Sequence, residues 1–156
     1  MSQPNLYKLN SWQRHESRVV EVFEEALGEL AQRDDLPNEE NPLNRQLLGH
    51  VRRANCRLIR AGRGTRSSIL YEANNQPRDS DEERALRELK RPDFKCGFVD
   101  ADAELDLFLD IECKRLGFAS SRSWVFNQNY ITNGVARFEN PDWGYGADCP
   151  SGVMIG

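Results

Sequence analysis

Residues 91–117 read RPDFKCGFVDADAELDLFLDIECKRLG, two alternating runs of apolar and charged residues on either side of a short acidic break. Side chains on a strand point to opposite faces in turn. Phe94, Cys96 and Phe98 therefore share one face of the first run, and Leu107, Leu109, Ile111 and Cys113 one face of the second. The other faces carry Asp93, Lys95 and Gly97, and Phe108, Asp110, Glu112 and Lys114. A hairpin turning at Asp102–Ala103 sets Phe94 opposite Ile111, Cys96 opposite Leu109 and Phe98 opposite Leu107, so that every apolar residue meets an apolar partner. The same register sets Asp93 opposite Glu112. Directly opposed residues hold their Cβ atoms only ~4.5–5.5 Å apart, and two carboxylates that close repel unless something positive lies between them.

A hard divalent cation such as Mg²⁺ meets that need, because it takes oxygen ligands from one or two carboxylates and keeps waters and open positions for a phosphate. Asp93 and Glu112 are the candidate ligands. Lys114, two residues beyond Glu112 on the same face, is placed to reach an attacking water or the phosphate oxygens. Beside two carboxylates it should stay charged, which suits it to orienting water and stabilising a pentavalent phosphate. The competing reading is an exposed sheet face with a surface salt bridge worth ~0–1 kcal/mol.

Outward from this hairpin, residues 11–33 place Val19, Val20, Phe23, Ala26, Leu27 and Leu30 at helical spacing, with Glu21, Glu24, Glu25 and Glu29 around the rest. This predicts an amphipathic helix with an acidic outer face. Asn41–Pro42 reads as an N-cap followed by a first-turn proline, so a second helix is expected to start near residue 42. Its apolar face holds Leu43, Leu47, Val51, Ala54 and Leu58, while Arg45, Arg52, Arg53 and Arg60 lie towards another side. These arginines, with Arg63 and Arg66 in the Gly-rich loop that follows, either line a groove for phosphates or solvate the surface.

ILYEA, from residue 69, reads as a short strand or a turn, and DSDEERALREL, residues 79–89, as a short helix with acids in its first turn. YITNGVARFE, residues 130–139, fits a helix with Tyr130, Asn133, Gly134 and Arg137 on one side, where they contact substrate or simply pack. VMIG at the end reads as the start of a last strand.

At 156 residues the chain suits a single core without staples. With 29% charged residues and no long apolar run, a membrane span is excluded and a cytoplasmic protein with reduced thiols is expected. The four cysteines form no C-x-x-C pair, and the two histidines, His15 and His50, are expected in solvent-exposed or capping roles, so zinc-ligand spacing is absent. A net charge of −4 argues against coating nucleic acid by bulk electrostatics and leaves room for a local basic groove.

Pro92-Asp93, eighteen intervening residues and Glu112-Cys113-Lys114 resemble the PD-(D/E)XK motif of the restriction-endonuclease-like nuclease superfamily. The resemblance implies an α/β fold, a mixed sheet flanked by helices, with residues 1–38 as an N-terminal helical extension and residues 39–156 as the nuclease core. It implies a nuclease that hydrolyses DNA phosphodiester bonds with Mg²⁺ or Mn²⁺, with Asp93, Glu112 and Lys114 catalytic. Asp93, Glu112 and the Cys113 carbonyl would be metal ligands, joined by an acid on the preceding helix, Glu40 first and Glu39 second. Arg52, Arg53, Arg63, Arg66 and Arg137 would contact nucleic acid. YITNGVARFE is similar to a segment of defence-related bacterial nucleases, which points to the nuclease subunit of an anti-phage system. The early end of the core implies a protein partner or a second copy of the chain. The alternative is a non-catalytic nucleic-acid-binding or assembly subunit of the same fold.

Overall fold

The computed structural model describes residues 6–74, 90–102, 104–116, 124–146 and 150–156. They form an α/β fold: α1 (Leu6–Leu30), α2 (Glu40–Arg60), β1 (Ile69–Tyr71), β2 (Phe94–Asp100), β3 (Leu105–Cys113), α3 (Trp124–Tyr130), a π-helical turn (Ile131–Val135), α4 (Ala136–Glu139) and β4 (Val153–Ile155). The strands make one mixed sheet in the order β1-β2-β3-β4. The helix expected over residues 79–89 lies outside the described residues. No described helix is long and apolar enough to cross a membrane.

The chain divides into two compact units, one made of Met1–Ile69 with Cys96–Leu107, the other of Leu70–Lys95 with Phe108–Gly156. In the first, α1 buries Trp12, Val19, Val22, Phe23, Ala26 and Leu30, and α2 buries Leu47, Val51, Ala54 and Leu58. Burial of each Val, Leu or Phe among them contributes ~1.5–3 kcal/mol, and that outweighs the weak propensity of β-branched residues for helix. Val20, Leu27 and Leu43, expected in the core, are only half-buried, while Val22 and Trp12 take places the spacing argument passed over.

The acidic face of α1 is not simply outward. Arg57 of α2 pairs with Glu25 at 2.9 Å and with Glu29, and Arg63 pairs with Glu21. His50, expected at the surface, is buried with Nδ1 3.0 Å from Glu29. His15 is buried too, its ring 5.8 Å from Trp12 and 4.9 Å from Phe98. Both histidines lie on the apolar stripes of their helices, where a ring with one polar edge is tolerated. Burial pushes the His15 pKa down; a hydrogen bond to the Cys96 backbone opposes this and Arg18 reinforces it.

Helix α2 begins at Glu40 after Glu39 in an extended conformation, so the cap falls two residues ahead of the expected Asn41, and Glu39 makes no side-chain capping bond. Pro42 still falls in the first turn, where its missing N–H costs nothing. The other end closes by a Schellman motif: Gly62 N–H donates to the Ile59 carbonyl at 3.0 Å and Arg63 N–H to the Leu58 carbonyl at 2.8 Å, with Gly62 at φ 76. Two residues on, Gly64 passes so close to the helix that a Cβ there would stand 2.6 Å from Ile59 N and 2.9 Å from the Asn55 carbonyl oxygen. Asn55 holds this return on both sides, accepting from Thr65 N–H and donating to the Thr65 carbonyl, each at 3.0 Å. Gly64→Ala is therefore expected to destabilise the fold by ~1–3 kcal/mol. Thermal denaturation reads this out, and an unchanged melting temperature would show that the return bends away at no cost.

The hairpin turns where the sequence places it. Glu104 N–H donates to the Ala101 carbonyl at 3.3 Å, and Glu104 takes a left-handed φ of 53. In the second unit β4 runs parallel to β3, pairing Ile111 with Val153, Glu112 with Met154 and Cys113 with Ile155. Lys114 N–H continues the ladder to the Ile155 carbonyl at 2.9 Å. The expected helix over residues 130–139 starts earlier, at Trp124, and changes to π-helical winding over its middle.

Candidate active site

Asp93, Glu112, Cys113, Lys114 and Arg137 all lie in the second unit. Asp93 precedes β2, Glu112 and Cys113 end β3, Lys114 follows at once, and Arg137 stands in α4. Asp93 Oδ2 accepts from the Cys113 N–H at 2.7 Å, which ties the carboxylate to the neighbouring strand. Lys114 Nζ lies 2.8 Å from Glu112 Oε1 and 3.9 Å from Asp93 Oδ2, and donates to the Cys113 carbonyl at 2.9 Å. One ammonium thus stands against both carboxylates, on one side of the hairpin.

Arg137 completes the group. Its guanidinium pairs with the same Glu112 Oε1, and its plane stacks on Trp143, 4.4 Å from the ring centre. Lys90 Nζ lies over the same ring at 4.3 Å. The π-helical turn brings Gly134 down on the site: a Cβ there would meet Met154 Cε at 2.5 Å and Lys114 Cγ at 3.2 Å. A wider residue would have to displace the Met154 tip and would press on the lysine stem. Extra turns of this kind recur at functional sites, where they re-aim a helix face.

Glu112 is 0% exposed, and its Oε2 is buried with no hydrogen-bond partner while Oε1 receives both cations. Burial, and next the charge of Asp93, push its pKa up to about 7, against the opposing pull of Lys114 and Arg137. A carboxylate with one satisfied and one bare oxygen can still accept a hard cation, and Asp93 and the Cys113 carbonyl, which already accepts from Lys114 Nζ, are the further oxygens of the group. That donor set fits Mg²⁺ or Mn²⁺ with water in the remaining positions. Among the described residues no group of three His, Cys, Asp or Glu side chains gathers into a metal cluster, so any such ion would be held by two carboxylates at most.

The face expected to be charged is also buried further along. Lys95 and Asp110, opposite one another in the expected register, pair at 3.3 Å with both side chains inside the protein. Asp110 Oδ2 accepts from the Gly146 N–H at 3.1 Å.

The remaining expected site residues belong to the first unit. Glu40 starts α2, and Arg52 and Arg53 are exposed along it. Arg63 is engaged with Glu21, so a phosphate would have to compete with that carboxylate. Arg66 is exposed on the return after α2. The link from Arg137 to Glu112 was not expected; the signal available was the shared helix side of Gly134 and Arg137, which faces Lys114 and Glu112 rather than solvent.

No protein-family model, curated protein or solved structure matches the chain.

Proposed function

We propose that this chain is a Mg²⁺- or Mn²⁺-dependent nuclease of the restriction-endonuclease-like kind, which hydrolyses phosphodiester bonds of DNA. The observation that carries the reading is the buried Glu112, its Oε2 bare, beside Asp93 and under two cations. A structural salt bridge does not need a second carboxylate and a second cation at one oxygen. Asp93, Glu112 and the Cys113 carbonyl would hold the metal, which when bound polarises the phosphate and supplies activated water.

The chain's own groups do the rest. Lys114 Nζ donates to a non-bridging phosphate oxygen and neutralises charge as water adds to phosphorus and the ester oxygen leaves. Arg137, held against Trp143, keeps Glu112 from turning and gives a second positive group near the reacting phosphate. The alternative, a binding or assembly subunit without turnover, draws on the same Lys114–Glu112–Arg137 contacts read as a strut.

Plasmid nicking by the purified full chain, with Mg²⁺ and with EDTA, separates the two. Cleavage with Mg²⁺ and none with EDTA is expected; intact plasmid with either metal, alongside unimpaired DNA binding, would favour the alternative. The raised pKa of Glu112 adds a signature. Below about 7 a proton occupies the group that the metal needs. Mg²⁺ binding, followed by calorimetry, should therefore tighten ~10-fold from pH 6 to 8 and level off above. A flat profile across that range would remove Glu112 from the ligand set.

A further inference from the structure

The first unit holds an open cleft of about 370 Å³, between α1, the return at residues 65–67 and the end of β2. That is the size range of small-molecule sites. Arg14 and Arg18, one helical turn apart on α1, and Arg66 on the return line it. All three are exposed, and no ion pair holds any of them among the described residues, in contrast to Arg57 and Arg63, which α1 glutamates engage. His15 also lines the cleft; it is only 7% exposed, and its Nε2 is buried with no hydrogen-bond partner. A buried polar atom without a partner is uncommon, and this one belongs to a residue that shares the cleft with three guanidiniums that no described carboxylate engages.

We propose that this cleft binds a phosphate monoester of mononucleotide size. The hydroxyl groups of Ser11, Thr65 and Ser67 stand in the same lining and add neutral donors. Asp100 is the one acid there, so three arginines against one carboxylate leave roughly two positive charges, which matches a monoester of about −1.5 to −2 at neutral pH. A phosphodiester, with a single charge, matches less well. Guanidiniums take phosphate oxygens in pairs, and three of them lining one cleft exceed what a carboxylate ligand can use. Phe98 and Val99 give the cleft an apolar wall, with Val99 71% exposed, against which the rest of a nucleotide can lie. The site involves none of the residues assigned to phosphodiester hydrolysis and does not rest on that reading.

Calorimetry on the full chain with AMP and with adenosine tests it, together with NMR of the His15 ring nitrogens. AMP should bind, adenosine should not, and the Nε2 resonance should move on adding AMP. Arg66→Ala and the pair Arg14→Ala and Arg18→Ala, all at exposed positions, should each weaken AMP at least ~10-fold with the circular dichroism unchanged. A short single strand carrying a 5′-phosphate, compared with its 5′-hydroxyl form, separates a free nucleotide from a nucleic-acid end. A phosphate-dependent gain with the strand assigns the end, and binding of AMP alone assigns the free ligand. Adenosine binding as well as AMP, a still His15 resonance, or AMP affinity that survives loss of all three arginines would overturn the proposal.

Discussion

Lys114→Met should lower DNA cleavage by ~10²–10³, the usual loss when a preorganised positive group is removed from a reacting centre, and should also weaken the fold. On an exposed sheet face, the competing reading of the sequence, loss of the lysine would cost the fold only ~0–1 kcal/mol. The structure makes it a buried partner: Lys114 is 7% exposed in its side chain and sits 2.8 Å from a carboxylate with no exposure at all. Breaking a buried pair costs ~3–5 kcal/mol, and the lower end applies because Arg137 still reaches Glu112. The loss should depend on pH. Glu112 has a folded-state pKa raised above its unfolded value, so its contribution to stability is greatest at low pH and declines as pH rises towards about 7. Without Lys114 the folded pKa rises further, and the decline continues to higher pH. Urea titrations should therefore show wild type and variant close together near pH 5 and well apart at pH 8. Equal separation at both values would mean that the lysine stabilises by its packed stem alone. Full cleavage by a folded variant would make Glu-Cys-Lys a structural triplet and put the binding-subunit reading first.

How the sequence could show the hairpin and still miss its burial follows from what each signal depends on. The turn at Asp102–Ala103 and the pairing of like with like are local: they need only the alternation of residues 94–113 and a break of turn-forming acids between them. The α/β class and the stripes of α1 and α2 are local in the same sense. Burial of the charged face is not. Lys95, Asp110, Glu112 and Lys114 are covered or paired by groups such as Gly134, Arg137 and Gly146, distant in the chain, and period-two alternation reads a face so covered as if it were wet. The same limit explains His15 and His50, whose partners Phe98 and Glu29 come from other elements. It explains the acidic face of α1 as well, because a helix wheel shows which residues share a side and not that an arginine of a second helix lies across from them.

The arrangement of Asp93 and Glu112 lies between these cases. That both carboxylates would meet on one side was legible from register alone, while the number of cations serving them was not. Sequence reasoning supplied Lys114. Arg137 arrives because a π-helical turn shifts the helix by a residue, so that Gly134 rests on the lysine stem and Arg137 reaches Oε1. An α-helical wheel drawn through residues 130–139 cannot show that shift.

Among the described residues, the Lys95–Asp110 pair should be the most costly contact to break outside the candidate active site. Both side chains are almost wholly buried, 3% and 5% exposed, so neither charge is relieved by solvent. Lys95→Met removes the cation that stands 3.3 Å from a carboxylate inside the protein and should destabilise by ~3–5 kcal/mol. Replacing both, Lys95→Met with Asp110→Leu, removes the two charges together and should recover most of that loss. The recovery should stop about 1 kcal/mol short, because the Gly146 N–H, which donates to Asp110 Oδ2 at 3.1 Å, loses its acceptor. Asp110→Asn keeps an oxygen for Gly146 but leaves the lysine charge facing an amide, so it should fall between the single and the double variant. A double-mutant cycle by urea unfolding isolates the coupling. A coupling below ~1 kcal/mol is the behaviour of a surface pair and would mean that water reaches Lys95, whereas a large coupling would mark this pair as the reason the charged face of the hairpin can be buried at all.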